Sequence, residues 1–322
     1  MFTPRVPPDP TWGGLMKAAP FSFRTQHMAN PNRLLDKTHL SIDQAEARGF
    51  IHRDYIAHCF RWSHVVKFLM QGHRYDGAHI IDIGCGKDQP LPRLLYANRM
   101  TGFDYSGIDI NWLTPEPSLV TAHRNNKIRV AIHENCDASL LDPAKLRWGL
   151  GNILVCFEVL EHMQPFIMHR MLRHWHALLE PDATLFVSTP VYNGSAAANH
   201  INEMGRITLG SAFEHAGFSI TGCYGTFASQ RDLWPVMSQS DRNLMEELGE
   251  YYDSNVLSTI FAPKYPEASR NNLWVLRNKV PAVSELLFYD PGMPCPPDPC
   301  QNLDIMDAFW GETGPHKGDF DG

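Results

Sequence analysis

One short run, Ile80-Ile81-Asp82-Ile83-Gly84-Cys85-Gly86-Lys87, constrains the fold more than any other part of the chain. It predicts a buried β-strand that ends in a glycine loop, followed by the start of a helix. Glycines fit where the backbone passes close to a ligand, and the amides at a helix start favour electron-rich groups. This order of elements predicts an α/β sheet with a ligand at the carboxyl ends of its strands.

The loop departs from a dinucleotide-binding fingerprint, because Gln89 occupies the third glycine position. Asp82, at the end of the strand, would repel a pyrophosphate and attract a cationic amine. S-adenosylmethionine carries such an amine and no phosphate, so these residues indicate a methyl donor rather than a dinucleotide. A dehydrogenase is the weaker alternative, which NADH binding would revive.

The composition fits one large α/β domain with appendages or two small domains, since the chain has 322 residues, 43% of them hydrophobic. No apolar stretch approaches the roughly 20 residues of a membrane helix, and the first residues lack the pattern of a signal peptide. We therefore expect no membrane partner. Seven scattered cysteines without a CxxC pair predict reduced thiols and a cytoplasmic location, and they give zinc no support.

The net charge of −7 is concentrated at one end of the chain. Residues 281–322 contain one lysine and eight acidic residues, which leaves 27 basic and 27 acidic residues in 1–280. This neutral body neither indicates nor excludes a nucleic-acid partner. We predict a poorly structured arm at 1–40, a catalytic domain at 41–280 and an acidic, proline-rich, disordered tail at 281–322.

Strand and helix patterns alternate through the catalytic domain. The alternation predicts a doubly wound, mostly parallel, seven-stranded Rossmann-like sheet with helices on both faces. The predicted strands are 79–83, 105–110, 128–133, 152–157, 184–188, 218–224 and 273–277, and the predicted helices are 53–71, 92–98, 164–180 and 208–216. Residues 41–78 predict a helical cap, which begins with a short helix at 41–49, and residues 226–268 predict a lid insertion.

Six motifs follow one another between about residues 50 and 280: Asp82–Gly86, Gly107–Asp109, Cys136–Ala138, Phe157–His162, Leu179–Pro190 and His200 with Glu214–Phe218. In this order they resemble the class I S-adenosylmethionine-dependent methyltransferases, in particular the group that includes the ubiquinone-biosynthesis O-methyltransferases. The chain departs from the family before strand 5, where Glu180-Pro181-Asp182-Ala183 replaces Lys-Pro-Gly-Gly. We expect that turn to use other backbone angles.

The resemblance implies which residues bind the methyl donor. Asp109, 27 residues after Asp82, would accept both ribose hydroxyls, although a capping role at a strand end is the alternative. Asp137 would accept the adenine amino group, or be an ordinary turn residue. We expect Cys85 to fill a small space in the loop rather than act as a nucleophile. The full predicted set is Asp82, Gly84, Cys85, Gly86, Asp109, Ile110, Asp137, Ala138 and Phe157.

The segment Glu158-x-x-Glu161-His162 is predicted to open a helix at the carboxyl edge of the sheet, with both glutamates facing the same way. Together with His200, these side chains would offer two carboxylates and two imidazoles to Mg²⁺ or Mn²⁺, as in the small-RNA 2′-O-methyltransferases that they resemble. In metal-free relatives the glutamate supports the cofactor loop, and His162 or His200 would then be the general base. The catalytic candidates are Glu161, His162 and His200, and the metal stays open.

Two sequence motifs that are absent after strand 4 narrow the range of possible methyl acceptors. Neither Asn/Asp-Pro-Pro-Tyr/Phe nor Pro-Cys occurs there, which disfavours direct methylation of DNA bases by those routes. We expect O-methylation of a small molecule or sugar, with Arg61, Trp62 and Tyr224 among the candidate lid residues. Methylation of RNA or of a modified nucleotide is the alternative enzyme. A non-catalytic cofactor-binding scaffold, with 306–310 as a docking segment, is the alternative of another class.

Overall fold

The computed structural model describes residues 53–279 apart from residues 193 and 195, and only the backbone of residues 53–55. The predicted arm, the short helix at 41–49, the tail and the docking segment at 306–310 lie outside the described residues. Seven strands form one sheet. They are β1 (His79–Ile83), β2 (Asp104–Ile108), β3 (Arg129–His133), β4 (Gly151–Phe157), β5 (Leu179–Pro190), β6 (Phe218–Phe227) and β7 (Asn271–Asn278).

The strand order is β3-β2-β1-β4-β5-β7-β6, with β7 antiparallel to both of its neighbours. The other paired strands are parallel, and Asp82 of β1 lies opposite Gly107 of β2 and Val155 of β4. The glycine loop therefore leaves the sheet beside the ends of β2 and β4. This topology confirms the predicted doubly wound, mostly parallel sheet.

Helices cover both faces of the sheet, because each has one apolar stripe to bury. One face carries α1 (Arg53–Met70), α2 (Pro90–Ala97) and α3 (Pro117–Arg124), which pack with Phe103, Tyr105 and Phe186. The other face carries α4 (Pro165–Leu178) and α5 (Arg206–His215), which pack around Trp175 and Phe213. Within residues 53–279, no helix combines the length and apolar character that a membrane crossing requires.

Between β6 and β7 the chain forms a small third core of its own. It contains α6 (Gln230–Leu233), α7 (Gln239–Leu248), α8 (Ser254–Phe261) and two single-turn 3₁₀ helices at Ala262–Lys264 and Pro266–Ala268. Ser229, Ser238 and Asp253 each accept a backbone N–H at the start of one of these helices. Such caps satisfy amides that the first helical turn leaves unpaired.

Several boundaries differ from the prediction for local physical reasons. Helix α3 was not predicted; Glu116 starts it by accepting the Ser118 amide. Strand β2 ends at Ile108, two residues early. Strand β5 begins directly where α4 ends, and in it Asp182 has φ +62°. The turn that replaces the family's glycines thus uses a left-handed residue, which a short polar side chain tolerates.

Candidate active site

The glycine loop after β1 is held against the end of β2 by its backbone. Gly84 and Gly86 have φ of +72° and +70°, and the Gly84 amide donates to the Ile108 carbonyl at 2.8 Å. A Cβ at position 84 would lie 2.3 Å from Val159 Cγ2, whereas a Cβ at position 86 would meet no atom within 4 Å. Gly84 therefore faces packed protein, and Gly86 faces open space in which a ligand can approach the backbone.

Asp82 lies directly before this loop and is almost completely buried, with 2% of its surface exposed. Its Oδ2 accepts a hydrogen bond from the Tyr105 hydroxyl at 2.7 Å. Burial raises the pKa of Asp82 to about 7, and the negative charge of nearby Asp109 adds to the rise, while the Tyr105 hydrogen bond opposes it. Among residues 53–279, no cationic side chain neutralises the ionised form of this carboxyl group, so a bound ammonium group would stabilise it.

Asp109 follows β2 and is fixed on both of its carboxylate oxygens. Oδ2 accepts the Gly86 amide at 3.0 Å, and Oδ1 accepts the Asn111 amide at 2.9 Å. Oδ1 also accepts the Asn111 side-chain amide at 2.9 Å, which uses both of its lone pairs. Oδ2 keeps a second lone pair, which can accept a ligand hydroxyl. The next side chain, Ile110, is 68% exposed and offers an apolar surface beside this carboxylate.

The loop after β3 is tied to Asp109, because the Cys136 amide donates to the Asp109 carbonyl at 2.9 Å. Asp137 Oδ1 accepts the Ser139 amide at 2.9 Å, and its Oδ2 lies 4.0 Å from Arg170 Nη2. Ala138, which lies between Asp137 and Ser139 in the sequence, is buried. The predicted adenine-side residues thus share one corner with Asp109, and Asp137 also has the local hydrogen bond of a turn residue.

Two other predicted donor-site residues are packed rather than exposed. Cys85 is buried, and burial raises the pKa of its thiol well above the ordinary value, which disfavours the nucleophilic thiolate. Phe157, at the end of β4, is 9% exposed and lies under Trp62 of α1, with 4.7 Å between their ring centroids. Phe157 therefore also anchors the helix that covers this part of the sheet edge.

Gln89 is a site residue whose role the sequence did not reveal. It is fully buried, with φ +40°, and its amide nitrogen donates to the Lys87 carbonyl at 2.8 Å and the Thr114 carbonyl at 3.1 Å. Its amide oxygen accepts the Glu116 backbone N–H at 2.8 Å. The residue that replaces the third glycine thus links the glycine loop to the loop after β2. Only its unexpected identity at that position was visible in the sequence.

Glu161, His162 and His200 meet at the carboxyl edge, and each offers a ligand atom within 4.8 Å of the others. Glu161 is 1% exposed; its Oε2 accepts the Thr189 hydroxyl at 3.1 Å, and its Oε1 lies 3.9 Å from His162 Nε2. Burial raises the pKa of Glu161 to about 8, with a further contribution from the Glu158 carboxylate. A cation beside this carboxyl group would stabilise its ionised form.

Both imidazole rings in this cluster are oriented through the same ring atom. His162 Nδ1 donates to the Asn199 carbonyl at 3.0 Å, and His200 Nδ1 is hydrogen-bonded to Glu203 Oε1. The two ring centroids are 4.9 Å apart. With its proton on Nδ1, a neutral imidazole has an accepting lone pair on Nε2. The cluster therefore presents nitrogen lone pairs that can take a proton or coordinate a metal.

Glu158 does not join this cluster, and the prediction that it opens a helix is wrong. It has φ +57°, a 3₁₀ turn follows at Leu160–His162, and α4 begins only at Pro165. Its Oε1 accepts the Ser188 hydroxyl at 2.8 Å, and both of its oxygens lie 2.9 Å from Asn271 Nδ2. This left-handed backbone directs the Glu158 carboxylate to β5 and β7 instead of towards His162.

Arg61 and Asn271 complete the surroundings of Glu158. Arg61 Nη1 lies 3.6 Å from Glu158 Oε1, and Arg61 Nη2 is 2.6 Å from His58 Nδ1. Arg61 is only 3% exposed, although it projects from a surface helix. Asn271 was not a predicted site residue, because nothing local marks an asparagine at the start of β7 as a partner of residue 158.

Comparison with known proteins identifies one family. The sequence profile of a family described as "Methyltransferase domain" matches residues 55–222, just over half of the chain. No curated protein matches the sequence. The match spans β1 to β5, the glycine loop and the Glu161–His162 segment, so it covers every predicted site residue.

Solved structures give distant likenesses. The 1,6-didemethyltoxoflavin-N1-methyltransferase of Burkholderia thailandensis is 16% identical, with 78% of this chain and 91% of that chain covered and a TM-score of 0.43. The magnesium protoporphyrin IX methyltransferase of Synechocystis PCC 6803 is 13% identical, with 77% and 95% covered and a TM-score of 0.43. The [4+2]-cyclase SpnF is 17% identical, with 67% and 80% covered and a TM-score of 0.42. Likenesses at this level say nothing about the substrate of this chain.

Proposed function

The chain belongs to the methyltransferase domain family and is an S-adenosylmethionine-dependent enzyme, and we propose that it methylates a hydroxyl oxygen of a small molecule or sugar. The donor would lie along the loops after β1, β2 and β3. In this arrangement Asp82 binds the ammonium group of the donor, Asp109 Oδ2 accepts a ribose hydroxyl, and Ile110 and Asp137 flank the adenine. Gly84 and Gly86 allow the close approach of the backbone.

Methyl transfer is an in-line displacement at the sulfonium methyl carbon. A lone pair of the acceptor oxygen forms the new C–O bond, the C–S bond breaks, and its electron pair stays on sulfur to give S-adenosylhomocysteine. The acceptor proton must leave, and we assign it to His162 or His200 Nε2. The protein otherwise contributes alignment of the three reacting atoms and exclusion of water.

One observation carries the proposal of O-methylation: two imidazoles, each held through Nδ1, stand beside a buried carboxyl group at the edge of the sheet. An alcohol or phenol is a poor nucleophile until its proton is taken up. An imidazole that is already oriented and keeps an Nε2 lone pair can take up that proton as a general base. This cluster therefore favours a protic oxygen acceptor.

The same side chains fit a divalent metal. One carboxylate and two imidazoles are a donor set that Mn²⁺ and related ions accept, and a hydrogen bond from the second ring nitrogen to an acceptor is typical of ligating histidines. Glu161, His162 and His200 would hold the ion; Glu158 would not, since its carboxylate is engaged by Ser188 and Asn271. A bound ion would polarise the acceptor hydroxyl. We propose Mg²⁺ or Mn²⁺ as an optional cofactor here.

The test measures release of S-adenosylhomocysteine with a panel of probes: catechol, 2-aminophenol, a hydroxynaphthalene and glucose. We expect release with at least one hydroxylated probe and a methyl group on oxygen by mass spectrometry. His162→Ala or His200→Ala should lower kcat by about a hundredfold. The control His169→Ala removes an exposed histidine of α4 and should change nothing.

Addition of EDTA distinguishes catalysis with a bound metal ion from catalysis by the imidazole base alone. Loss of activity that Mn²⁺ restores supports the metal, and activity that EDTA leaves unchanged supports the imidazole base alone. Methylation found only on the nitrogen of 2-aminophenol, or full activity in both His162→Ala and His200→Ala, would contradict O-methylation through this cluster.

A further inference from the structure

A cleft of about 380 Å³ lies between α1 and the end of β6, next to the Glu158 carboxylate network. Its volume is within the range of small-molecule sites. Most of its lining is apolar, and its walls come from α1, β6, β7 and the 3₁₀ turn at 262–264. The lining residues are Phe60, Ser63, His64, Lys67, Tyr224, Gly225, Thr226, Pro263 and Leu273.

The cleft contains one positive charge, which has no counter-ion within the part of the chain that the structure describes. Lys67 is exposed, and no acidic side chain among the described residues pairs with it. Burial and the charge of Lys67 lower the pKa of the neighbouring His64 imidazole. The His64 ring contacts the Tyr224 ring, with 5.0 Å between the centroids. The cleft thus combines aromatic walls, an imidazole and one ammonium group.

Two contacts connect this cleft to the site of the reaction. The Thr226 hydroxyl, in the cleft wall, donates to Asn271 Oδ1 at 2.8 Å, and Asn271 Nδ2 in turn donates to the Glu158 carboxylate at 2.9 Å. On α1, Phe60 lines the cleft, and the neighbouring Arg61 lies 3.6 Å from Glu158. A molecule bound in the cleft therefore lies close to Glu158 at the carboxyl end of β4, the strand that precedes the Glu161–His162 segment.

We propose that this cleft binds the methyl acceptor and that the acceptor is an aromatic hydroxy acid whose carboxylate is held by Lys67. The aromatic part would pack against Phe60 and Tyr224. The single ammonium charge balances the single charge of a carboxylate, whereas a phosphate monoester carries nearly two negative charges. This inference rests on the proposed function, since it names the acceptor of the same reaction.

A matched pair of fluorescent probes tests the charge requirement. Binding of 6-hydroxy-2-naphthoate and of its neutral carboxamide is measured by fluorescence anisotropy, with S-adenosylhomocysteine present. The acid should bind wild type about fivefold tighter than the amide, which corresponds to a partly exposed ion pair. Lys67→Gln should abolish that preference, and Lys67→Arg should keep it.

Two further variants make the test specific to the cleft. Lys127→Gln removes an exposed charge before β3 and should leave the preference unchanged. Ser63→Trp fills the cleft from the exposed side of α1 and should abolish binding of both probes. Equal affinity of wild type for acid and amide, or an unchanged preference in Lys67→Gln, would overturn the proposal.

Calorimetry with S-adenosylhomocysteine alone distinguishes failure of the proposed acceptor site from failure of the proposed methyltransferase function. Wild type and all four variants should bind it with the same affinity, because none of the changed residues lies in the donor site. Donor binding without selective acid binding refutes only the aromatic-acid acceptor. Absence of donor binding in wild type refutes the methyltransferase site, and the acceptor assignment with it.

Discussion

At the scale of single residues, Asp82 is a buried acid whose ionisation weakens the ligand-free fold. Its pKa of about 7 stands well above the ordinary value of 3.8, so the folded chain holds a proton that the unfolded chain releases. Stability from this group is therefore present below pH 4 and is lost as the pH rises through 7. A cationic ligand would reverse this loss by favouring the carboxylate.

We predict that Asp82→Asn removes the pH dependence of stability that Asp82 causes and weakens the binding of S-adenosylhomocysteine. An amide of the same shape keeps an acceptor for the Tyr105 hydroxyl but has no proton to lose. Between pH 5 and pH 8, ligand-free wild type should lose roughly 2–3 kcal/mol of unfolding free energy relative to the variant. Urea unfolding at the two pH values measures this difference, and the variant should bind S-adenosylhomocysteine more weakly.

The control is Asp182→Asn, which removes an exposed carboxylate at a left-handed position that asparagine also tolerates. The free energy of unfolding of this variant should change between the two pH values by as much as that of wild type. The same pH dependence in wild type and Asp82→Asn would show that Asp82 is not the buried acid that we describe.

The two loop glycines form a natural pair for a second prediction. Gly84→Ala and Gly86→Ala share a left-handed backbone, which costs an alanine about 1–2 kcal/mol. Only at position 84 does the new Cβ collide with Val159, which should add about 1–3 kcal/mol of overpacking. Urea unfolding should therefore give Gly84→Ala a lower free energy of unfolding than Gly86→Ala. Adding Val159→Ala to the Gly84→Ala variant should recover part of that difference. Equal stability of the two variants would contradict the packing at Gly84.

At the scale of elements, the Arg61–Glu158 pair attaches α1 to the end of β4. Removing Glu158 leaves the buried Arg61 charge without its counter-ion, whereas removing Arg61 leaves a Glu158 carboxylate that is 29% exposed. In a double-mutant cycle of Arg61→Met and Glu158→Gln, unfolding free energies should give a coupling of about 1–2 kcal/mol. Additivity within about 0.5 kcal/mol would mean that the helix is held by apolar contacts such as Trp62 on Phe157 and not by this ion pair.

The sequence predicted strongly periodic elements well and local exceptions poorly. Strand β1 and helix α1 were predicted to within one residue, because continuous apolar runs and a repeating stripe mark them. The short α3 has only two buried residues and gave no such stripe. The left-handed turn at Glu158 depends on hydrogen bonds from β5 and β7, so the local Glu-x-x-Glu spacing misleadingly favoured a helix.

At the scale of the whole molecule, residues of a loop motif could be predicted and their distant partners could not. Asp82, Gly84 and Gly86 sit in one contiguous signature, so their position at the sheet edge follows from the sequence. Asn271 meets Glu158 across 113 residues, and Thr226 meets Asn271 across 45. Such contacts depend on the order of the strands in the sheet. A single sequence does not show which distant side chains that order brings together.

We propose that the loops after β1, β2 and β3 bind the methyl donor, and hydrogen bonds of Asp109 link all three loops. Calorimetric titration with S-adenosylhomocysteine, on wild type and Asp109→Ala, tests it most directly, with Asp182→Asn as the control and circular dichroism to verify folding. We predict micromolar binding by wild type and the control, and binding at least about tenfold weaker in Asp109→Ala. No heat with wild type, or equal affinity in folded Asp109→Ala, would contradict the account.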